Sequence, residues 1–93
     1  MLLENVQTLD VSELEPPHPM HQITSSLKLL SAGEVLSVKH RRLPIPLFDM
    51  IEGQYQHDHV QISTEHVQIY FWRQDDECAC SLASKLIKEC ELR

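Results

Sequence analysis

The chain has 93 residues, which is enough for one folded domain and too few for two. Its 8 Lys and Arg residues stand against 14 Asp and Glu residues, and the formal charge of −6 argues against a nucleic acid partner, because phosphate binding requires a basic surface. The sequence contains no apolar run of about 18 residues that would span a bilayer and no signal-like N-terminus, so we expect a cytoplasmic protein without membrane contact.

The first half of the chain predicts a strand, a helix and a second strand. Residues 8–11 are typical of a short strand, and Pro19 suits the first turn of a helix, where its missing N–H is not needed. Apolar residues then recur at spacings of three and four: Met20, Ile23, Leu27 and Leu30. Gly33 is typical of the residue that ends a helix, and residues 34–40 are rich in β-forming side chains, which predicts the second strand.

A short helix and a hairpin are predicted next. Pro44 and Pro46 precede the short helix, and Gly53 follows it. Residues 55–63 and 66–73 both alternate between apolar and polar side chains, and the two residues between them fit a tight turn. We therefore expect two antiparallel strands.

A terminal amphipathic helix is predicted for residues 76–93. Its apolar side chains repeat at helical spacing: Ala79, Leu82, Ala83, Leu86, Ile87 and Cys90. Because a helix joins the first two strands, they should be parallel with a right-handed crossover, whereas the last two form a hairpin. The predicted fold is an α/β (α+β) two-layer sandwich of one domain, β-α-β-α-β-β, with a mixed four-stranded sheet plus the C-terminal helix.

Several short segments resemble TusA-like (SirA-like) sulfur-carrier proteins. These segments are Leu9-Asp10, Leu14, Pro17-His18-Pro19 at the start of a helix, and Ala32-Gly33-Glu34 before the second strand. The resemblance covers residues 7–73 and leaves the terminal helix outside it. It implies the sulfur-carrier fold and points to an uncharacterised branch that lacks the family's cysteine.

The reactive cysteine of that family belongs to a Cys-Pro-x-Pro motif at the start of the first helix. This chain has Pro16-Pro17-His18-Pro19 there, so Pro16 takes the place of the cysteine. Persulfide transfer requires a nucleophilic thiolate, which a helix N-terminus stabilises and which proline does not provide. We therefore expect no sulfur transfer by the cysteine mechanism.

The carboxyl ends of the two parallel strands form the first candidate site. Ligands of open α/β sheets favour this edge, and two helices are predicted to begin there. The site would bind a small anion or an acidic partner through five side chains: His18, His21, His40, Arg41 and Arg42. The alternative is that the arginines are solvated charges in a loop and that the histidines lie on exposed turns without a binding role.

The hairpin provides the second candidate site. With Thr64 and Glu65 as the turn and a regular register, Val60 lies opposite Ile69, and the inward side chains are Val60, Ile62, Val67, Ile69 and Phe71. The other face would then be a contact surface made of His57, His59, His66, Tyr70 and Trp72. Two alternatives are that the terminal helix folds back over this face, or that the cross-strand pairs only stabilise the strands. A metal site needs three or four ligands with suitable geometry, and only His66 is expected near His57 and His59, so we expect no metal and no cofactor.

The three cysteines lie near the end of the chain. Cys78 and Cys80 form a C-x-C pair, which differs from the C-x-x-C of redox and zinc sites, and Cys90 falls on the apolar stripe. An odd number without an export signal indicates reduced thiols.

The function expected from the sequence is a non-catalytic interaction or regulatory module with an unidentified protein partner. A homodimer sealed by the terminal helix is an expected form of this contact. The alternative is a small-anion-binding or sulfur-relay accessory protein that uses the His/Arg edge or the C-terminal thiols. An enzyme that uses histidines for proton transfer ranks last, because no pairing of residues specifies a substrate.

Overall fold

The computed structural model describes residues 5–15 and 18–91. The elements are β1 (Val6–Asp10), α1 (His18–Lys28), β2 (Val35–His40), α2 (Ile45–Ile51), β3 (Tyr55–Ser63), β4 (His66–Arg73) and α3 (Glu77–Glu91). Pro16 and Pro17, on which the interpretation of the lost cysteine rests, lie outside the described residues. None of the helices in the described ranges is long and apolar enough to cross a membrane.

The four strands form one mixed sheet in the order β1-β2-β4-β3. β1 runs parallel to β2, as the helical crossover through α1 predicted, and β4 is antiparallel to both of its neighbours. The predicted α/β (α+β) fold with a mixed four-stranded sheet is confirmed. β4, the last strand in the chain, therefore lies inside the sheet, and β1 and β3 form its edges.

One face of the sheet packs against α1 and α2. The apolar stripe of α1 is buried there through Ile23 and Leu27, and α2 contributes Leu47 and Ile51. The strands contribute alternate side chains to this main core: Leu36, Val38, Val67, Ile69 and Phe71. Gly33 does not directly end α1, because it lies five residues after Lys28 with φ of 83°, in a turn where the Glu34 N–H donates to the Ser31 carbonyl.

The opposite face of the sheet is covered by α3. Ala79 and Ala83 are fully buried on this face, and their small side chains let the helix approach Val35, Tyr70 and Trp72. The sequence left open whether the terminal helix packs on its own sheet or on a second chain. In the structure it packs on its own sheet, and the larger apolar residues of α3 are only half-buried: Leu82, Leu86 and Ile87.

Asp76 fixes the start of α3. Its Oδ1 accepts a hydrogen bond of 3.0 Å from the Ala79 N–H, as an N-cap residue does, and its Oδ2 accepts one of 2.6 Å from the Gly33 N–H. These bonds, with a smaller contribution from the charge of Arg73, hold the pKa of the Asp76 carboxyl below its usual value. One carboxylate therefore caps α3 and ties it to the turn before β2.

The strand bounds and the turn of the hairpin match the prediction, but the predicted register was wrong. Ser63 pairs with His66 as expected, and a β-bulge between Gln61 and Ser63 then adds one unpaired residue. Because side chains alternate with period two, this residue turns the rest of β3 over. Val60 consequently lies opposite Gln68 rather than Ile69, and Ile62 is 45% exposed rather than buried.

Candidate functional site

The carboxyl ends of β1 and β2 bring together three of the five side chains predicted there. His40 ends β2, and the Arg42 N–H donates a hydrogen bond of 3.2 Å to His40 Nδ1, which holds the imidazole against the following turn. Burial lowers the pKa of His40, and the positive charges of Arg41 and Arg42 lower it further. The neutral imidazole is therefore favoured, and the two exposed arginines supply the charge at this edge.

His18 and His21 lie apart from this group in their contacts. Both are exposed on the first turn of α1, which follows β1. No hydrogen bond or ion pair of residues 5–15 and 18–91 links either imidazole to the arginines. The predicted set of five therefore shares one end of the sheet without forming a single bonded cluster.

A shallow depression at the same edge combines residues that the sequence interpretation missed with Arg41 and His66, which it had assigned to two separate sites. Its lining combines both signs of charge: Ser12, Glu13, Lys39, Arg41, Ser63, Glu65 and His66. Lys39 and His66 also contribute to lowering the pKa of Asp10, after the stronger effect of two hydrogen bonds from Ser12. The signal that would have found them is topological, because β4 begins where β2 ends when the two strands are antiparallel neighbours.

The five residues predicted as one contact surface on the hairpin do not share a face. Because of the bulge, His57 lies opposite Phe71 and His59 opposite Ile69, so both histidines belong to the face that α1 and α2 cover. His66 lies on the other face, as predicted. Tyr70 and Trp72 are also on that face, but α3 buries them to 6% and 8% exposure. The predicted surface is therefore divided by the sheet and partly covered by α3.

His57 occupies an unusual position between α2 and the sheet. Its ring stacks on Phe48 with 3.9 Å between centroids and 5° between planes, and it is tilted against Phe71. Nδ1 is buried and has no hydrogen-bond partner among the residues that the structure describes. Burial lowers the pKa of His57, while the negative charge of Asp58 opposes this and the neighbouring His59 adds to it. The neutral form is therefore favoured, and His57 acts as an aromatic anchor for α2.

The three thiols lie on α3 and are free. Cys78 and Cys80 are exposed in the first turns of the helix, and Cys90 is half-buried near its end. No group of three or more His, Cys, Asp or Glu side chains in the described ranges is arranged to hold a metal ion. The thiols are therefore accessible for modification but lie on the opposite face of the sheet from α1.

α2 carries exposed apolar side chains that sequence patterning did not single out. Ile45 and Met50 are 56% and 57% exposed, and the half-buried Phe48 lies between them in sequence. Leu47 and Ile51 are buried on the other side of the same seven-residue helix and anchor it to the sheet. We call Ile45, Phe48 and Met50 the α2 surface.

Comparison with known proteins identifies one relationship. Residues 8–73 match the model of a protein family described as Uncharacterized conserved protein (DUF2249), and α3 lies outside the matched residues. No curated protein and no solved structure matches the chain. The matched residues include β2, β3, β4, α1, α2 and the last three residues of β1. Because this match covers well over half of the sequence, the chain belongs to the DUF2249 family of uncharacterized conserved proteins.

Proposed function

We propose that this chain is a non-catalytic interaction module that binds a protein partner through the α2 surface. The supporting observation is the exposure of Ile45 and Met50, which is 56% and 57% on a helix of only seven residues. Exposed large apolar side chains that are grouped on one short element mark contact sites more often than isolated ones do. The partner would present a complementary apolar surface.

The rigid attachment of α2 supports this proposal. Leu47 is fully buried, and the stack of Phe48 on His57 fixes the helix from its flank. A contact surface on a fixed element loses little conformational entropy when a partner binds. The uncovered sheet face that the sequence suggested no longer supports the proposal, because α3 lies on it.

The absence of a suitable thiol supports a non-catalytic function. The order of strands and helices agrees with a TusA-like fold, and in that fold sulfur transfer uses a cysteine at the start of the first helix. Here the sequence has Pro16 at that position, and the three cysteines belong to α3 on the other face of the sheet. We therefore infer a relative of sulfur carriers that kept the scaffold without the reaction. Free cysteines favour the cytoplasm as its location.

Site-specific crosslinking tests the proposed surface. Met50 is replaced with the photo-crosslinking residue benzoyl-phenylalanine in the full chain, and Ser84, exposed on α3, is replaced in the same way as a matched control. In lysate of the source cells, we expect one discrete adduct from position 50 and none from position 84. An adduct with the mass of two chains would identify a second copy as the partner.

The affinity of the identified partner then gives a quantitative criterion. Burying the exposed parts of Ile45 and Met50 should contribute about 2 kcal/mol in total. The double variant Ile45→Ser, Met50→Ser should therefore bind roughly thirtyfold more weakly, while its thermal stability changes little because both side chains are exposed. Equal affinities of the parent and the double variant would refute the proposed surface.

A second candidate function is the binding of a small anion at the end of β2. Arg41 and Arg42 are both exposed and both lower the pKa of His40, which indicates that their positive charges gather at this edge. If an anion binds there, phosphate or sulfate should raise the thermal stability of the parent. The variant Arg41→Ala, Arg42→Ala should lose that shift, whereas Lys28→Ala should keep it. No shift in the parent would remove this candidate.

A further inference from the structure

The last turns of α3 and the outer face of the hairpin enclose a groove of about 740 Å³. This volume falls within the roughly 300–1,000 Å³ that is usual for sites of small ligands. The groove lies on the face opposite the α2 surface, and its apolar walls are Val60, Ile62 and Leu86. It therefore offers a second, separate place for recognition.

The β-bulge in β3 creates the apolar wall of this groove. Without the extra residue, Val60 would face α1 and α2, but the bulge turns it to the α3 side, where it lies opposite Gln68. Ile62, at the bulge, is 45% exposed and lines the rim. Bulges of this kind often re-aim side chains beside functional sites. The groove is thus a direct consequence of the irregular register.

A chain of hydrogen bonds orders the polar side of the groove. The Gln68 Nε2 donates a bond of 2.7 Å to the Ser37 Oγ, which is almost fully buried. Gln68 Oε1 therefore accepts the bond of 2.9 Å that joins it to His66, so His66 Nε2 carries the hydrogen. A neutral imidazole with this tautomer has Nδ1 as an acceptor. The groove is thus lined by an imidazole whose Nε2–H is bound to Gln68, and whose Nδ1 accepts a hydrogen bond when the ring is neutral.

The charge of the lining selects the ligand. Among the described residues that line the groove, Glu89 is the one Asp, Glu, Lys or Arg side chain, and its carboxylate is a hydrogen-bond acceptor. An acceptor carboxylate, an acceptor imidazole nitrogen and apolar walls together complement a hydrogen-bond donor that carries positive charge and an apolar body. The formal charge of −6 on the whole chain favours the approach of such a cation.

We propose that this groove binds an organic ammonium group attached to an apolar body. The ammonium group would lie between Glu89 and His66, and the apolar body would contact Ile62 and Leu86. The same chemistry is offered by a free aliphatic or aromatic amine and by a lysine flanked by apolar residues in a peptide. The site goes beyond the proposed protein contact at α2 and does not depend on it.

The first experiment compares three ligands of similar size and different charge. The full chain, labelled with ¹⁵N, is titrated with phenethylamine, 2-phenylethanol and 3-phenylpropionate, and amide shifts are followed by NMR. We expect saturable shifts with the amine at the groove residues of β3, β4 and the end of α3. The alcohol should bind more weakly and the carboxylate most weakly. Equal binding of the three ligands, or shifts elsewhere only, would overturn the proposal.

Variants at exposed positions separate charge from packing. Glu89→Gln should weaken amine binding about two- to fivefold, as expected for one exposed ionic contact, and Glu77→Gln on the same helix should not. At Ile62 we expect opposite effects of opposite charges, with weaker binding in Ile62→Lys and tighter binding in Ile62→Glu. If both Ile62 variants weaken binding equally, apolar contact alone explains it and the selection by charge is refuted.

A peptide arm distinguishes the two sources of the ammonium group. The peptide acetyl-Leu-Lys-Leu-amide is compared with the same peptide carrying norleucine in place of lysine. Tighter binding of the lysine peptide than of phenethylamine, with the norleucine peptide weaker, would identify a protein segment as the ligand. Tighter binding of phenethylamine would identify a small amine. If neither amine-bearing ligand binds, the proposal is wrong.

Discussion

Removal of the Asp76 carboxylate should detach the start of α3 from the rest of the domain. Asp76→Ala eliminates the N-cap bond to Ala79 and the bond to the Gly33 N–H. Loss of an N-cap costs about 1 kcal/mol, and loss of a further hydrogen bond to a charged acceptor costs about as much again. The expected destabilisation is therefore about 2 kcal/mol, a large fraction of the roughly 5–14 kcal/mol that a chain of this length has in total.

Urea denaturation followed by tryptophan fluorescence measures this effect directly. Trp72 is the one tryptophan of the chain and is 8% exposed beneath α3, so its emission reports the docking of that helix. For a domain of this size, a loss of about 2 kcal/mol should also lower the Tm by roughly 8–16 °C. Asp75→Ala is the matched control, because its side chain is exposed and makes no hydrogen bond to the described residues.

The pH dependence gives a second test of Asp76. The bonds from Gly33 and Ala79 lower the pKa of its carboxyl below the ordinary 3.8, so the folded protein releases this proton more readily than the unfolded chain. Its contribution to stability is therefore complete above pH 3.8 and is lost as the pH falls through the lower folded value. The difference between the parent and Asp76→Ala should be constant from pH 5 to 7 and shrink below pH 4. If Asp76→Ala and Asp75→Ala are equally stable at neutral pH, the proposed attachment of α3 is refuted.

Three further outcomes follow from the core and the hairpin. Burial lowers the pKa of His57, so as the pH drops from 7 to 5 the unfolded chain takes up a proton that the folded protein does not, and the Tm should fall. The variant His57→Phe should show a smaller fall in Tm over the same range. An identical pH profile of the two proteins would contradict this assignment. Deletion of Ile62 removes only the bulged residue, so NMR should still detect the contact of His57 with Phe71 across the strands. If that contact is lost in the deletion variant, the observed register is contradicted. Leu47→Ala should lower the free energy of unfolding, measured by urea denaturation, by about 2–4 kcal/mol because the side chain is fully buried. The control Leu29→Ala should change it by less than about 0.5 kcal/mol, because Leu29 is 80% exposed. Similar losses in the two variants would contradict the anchoring of α2.

The sequence was sufficient to predict the helices and strands, but not to predict which hairpin residues face each side of the sheet. The alternating pattern located β3, β4 and their turn, because period-two patterning does not depend on the partner strand. The bulge left no comparable signal, since neither Gln61 nor Ile62 is a residue type that marks a bulge. One extra residue was enough to move His57 from the predicted outer surface into contact with Phe48.

The candidate sites were limited by the same lack of tertiary information. The apolar stripe on α3 predicts that one side of the helix is buried, but it does not predict which surface the helix packs against. In the structure the helix covers Tyr70 and Trp72, which the sequence interpretation had assigned to an exposed contact surface. Lys39 and His66 share a depression because β2 and β4 are neighbours in the sheet. The hydrophobic pattern of a single strand does not predict which strand lies next to it.

The interior position of β4 has a consequence for the emergence of the chain from the ribosome. β1 and β2 are the first strands to be synthesised, but their parallel pair is joined to the remaining strand only through β4, which ends at Arg73. Until that strand has left the exit tunnel, the main core lacks Val67, Ile69 and Phe71, which β4 contributes. Folding of this domain therefore waits until β4 has been synthesised, and translation products that stop before Arg73 should be substrates for chaperones or proteases rather than partly native domains.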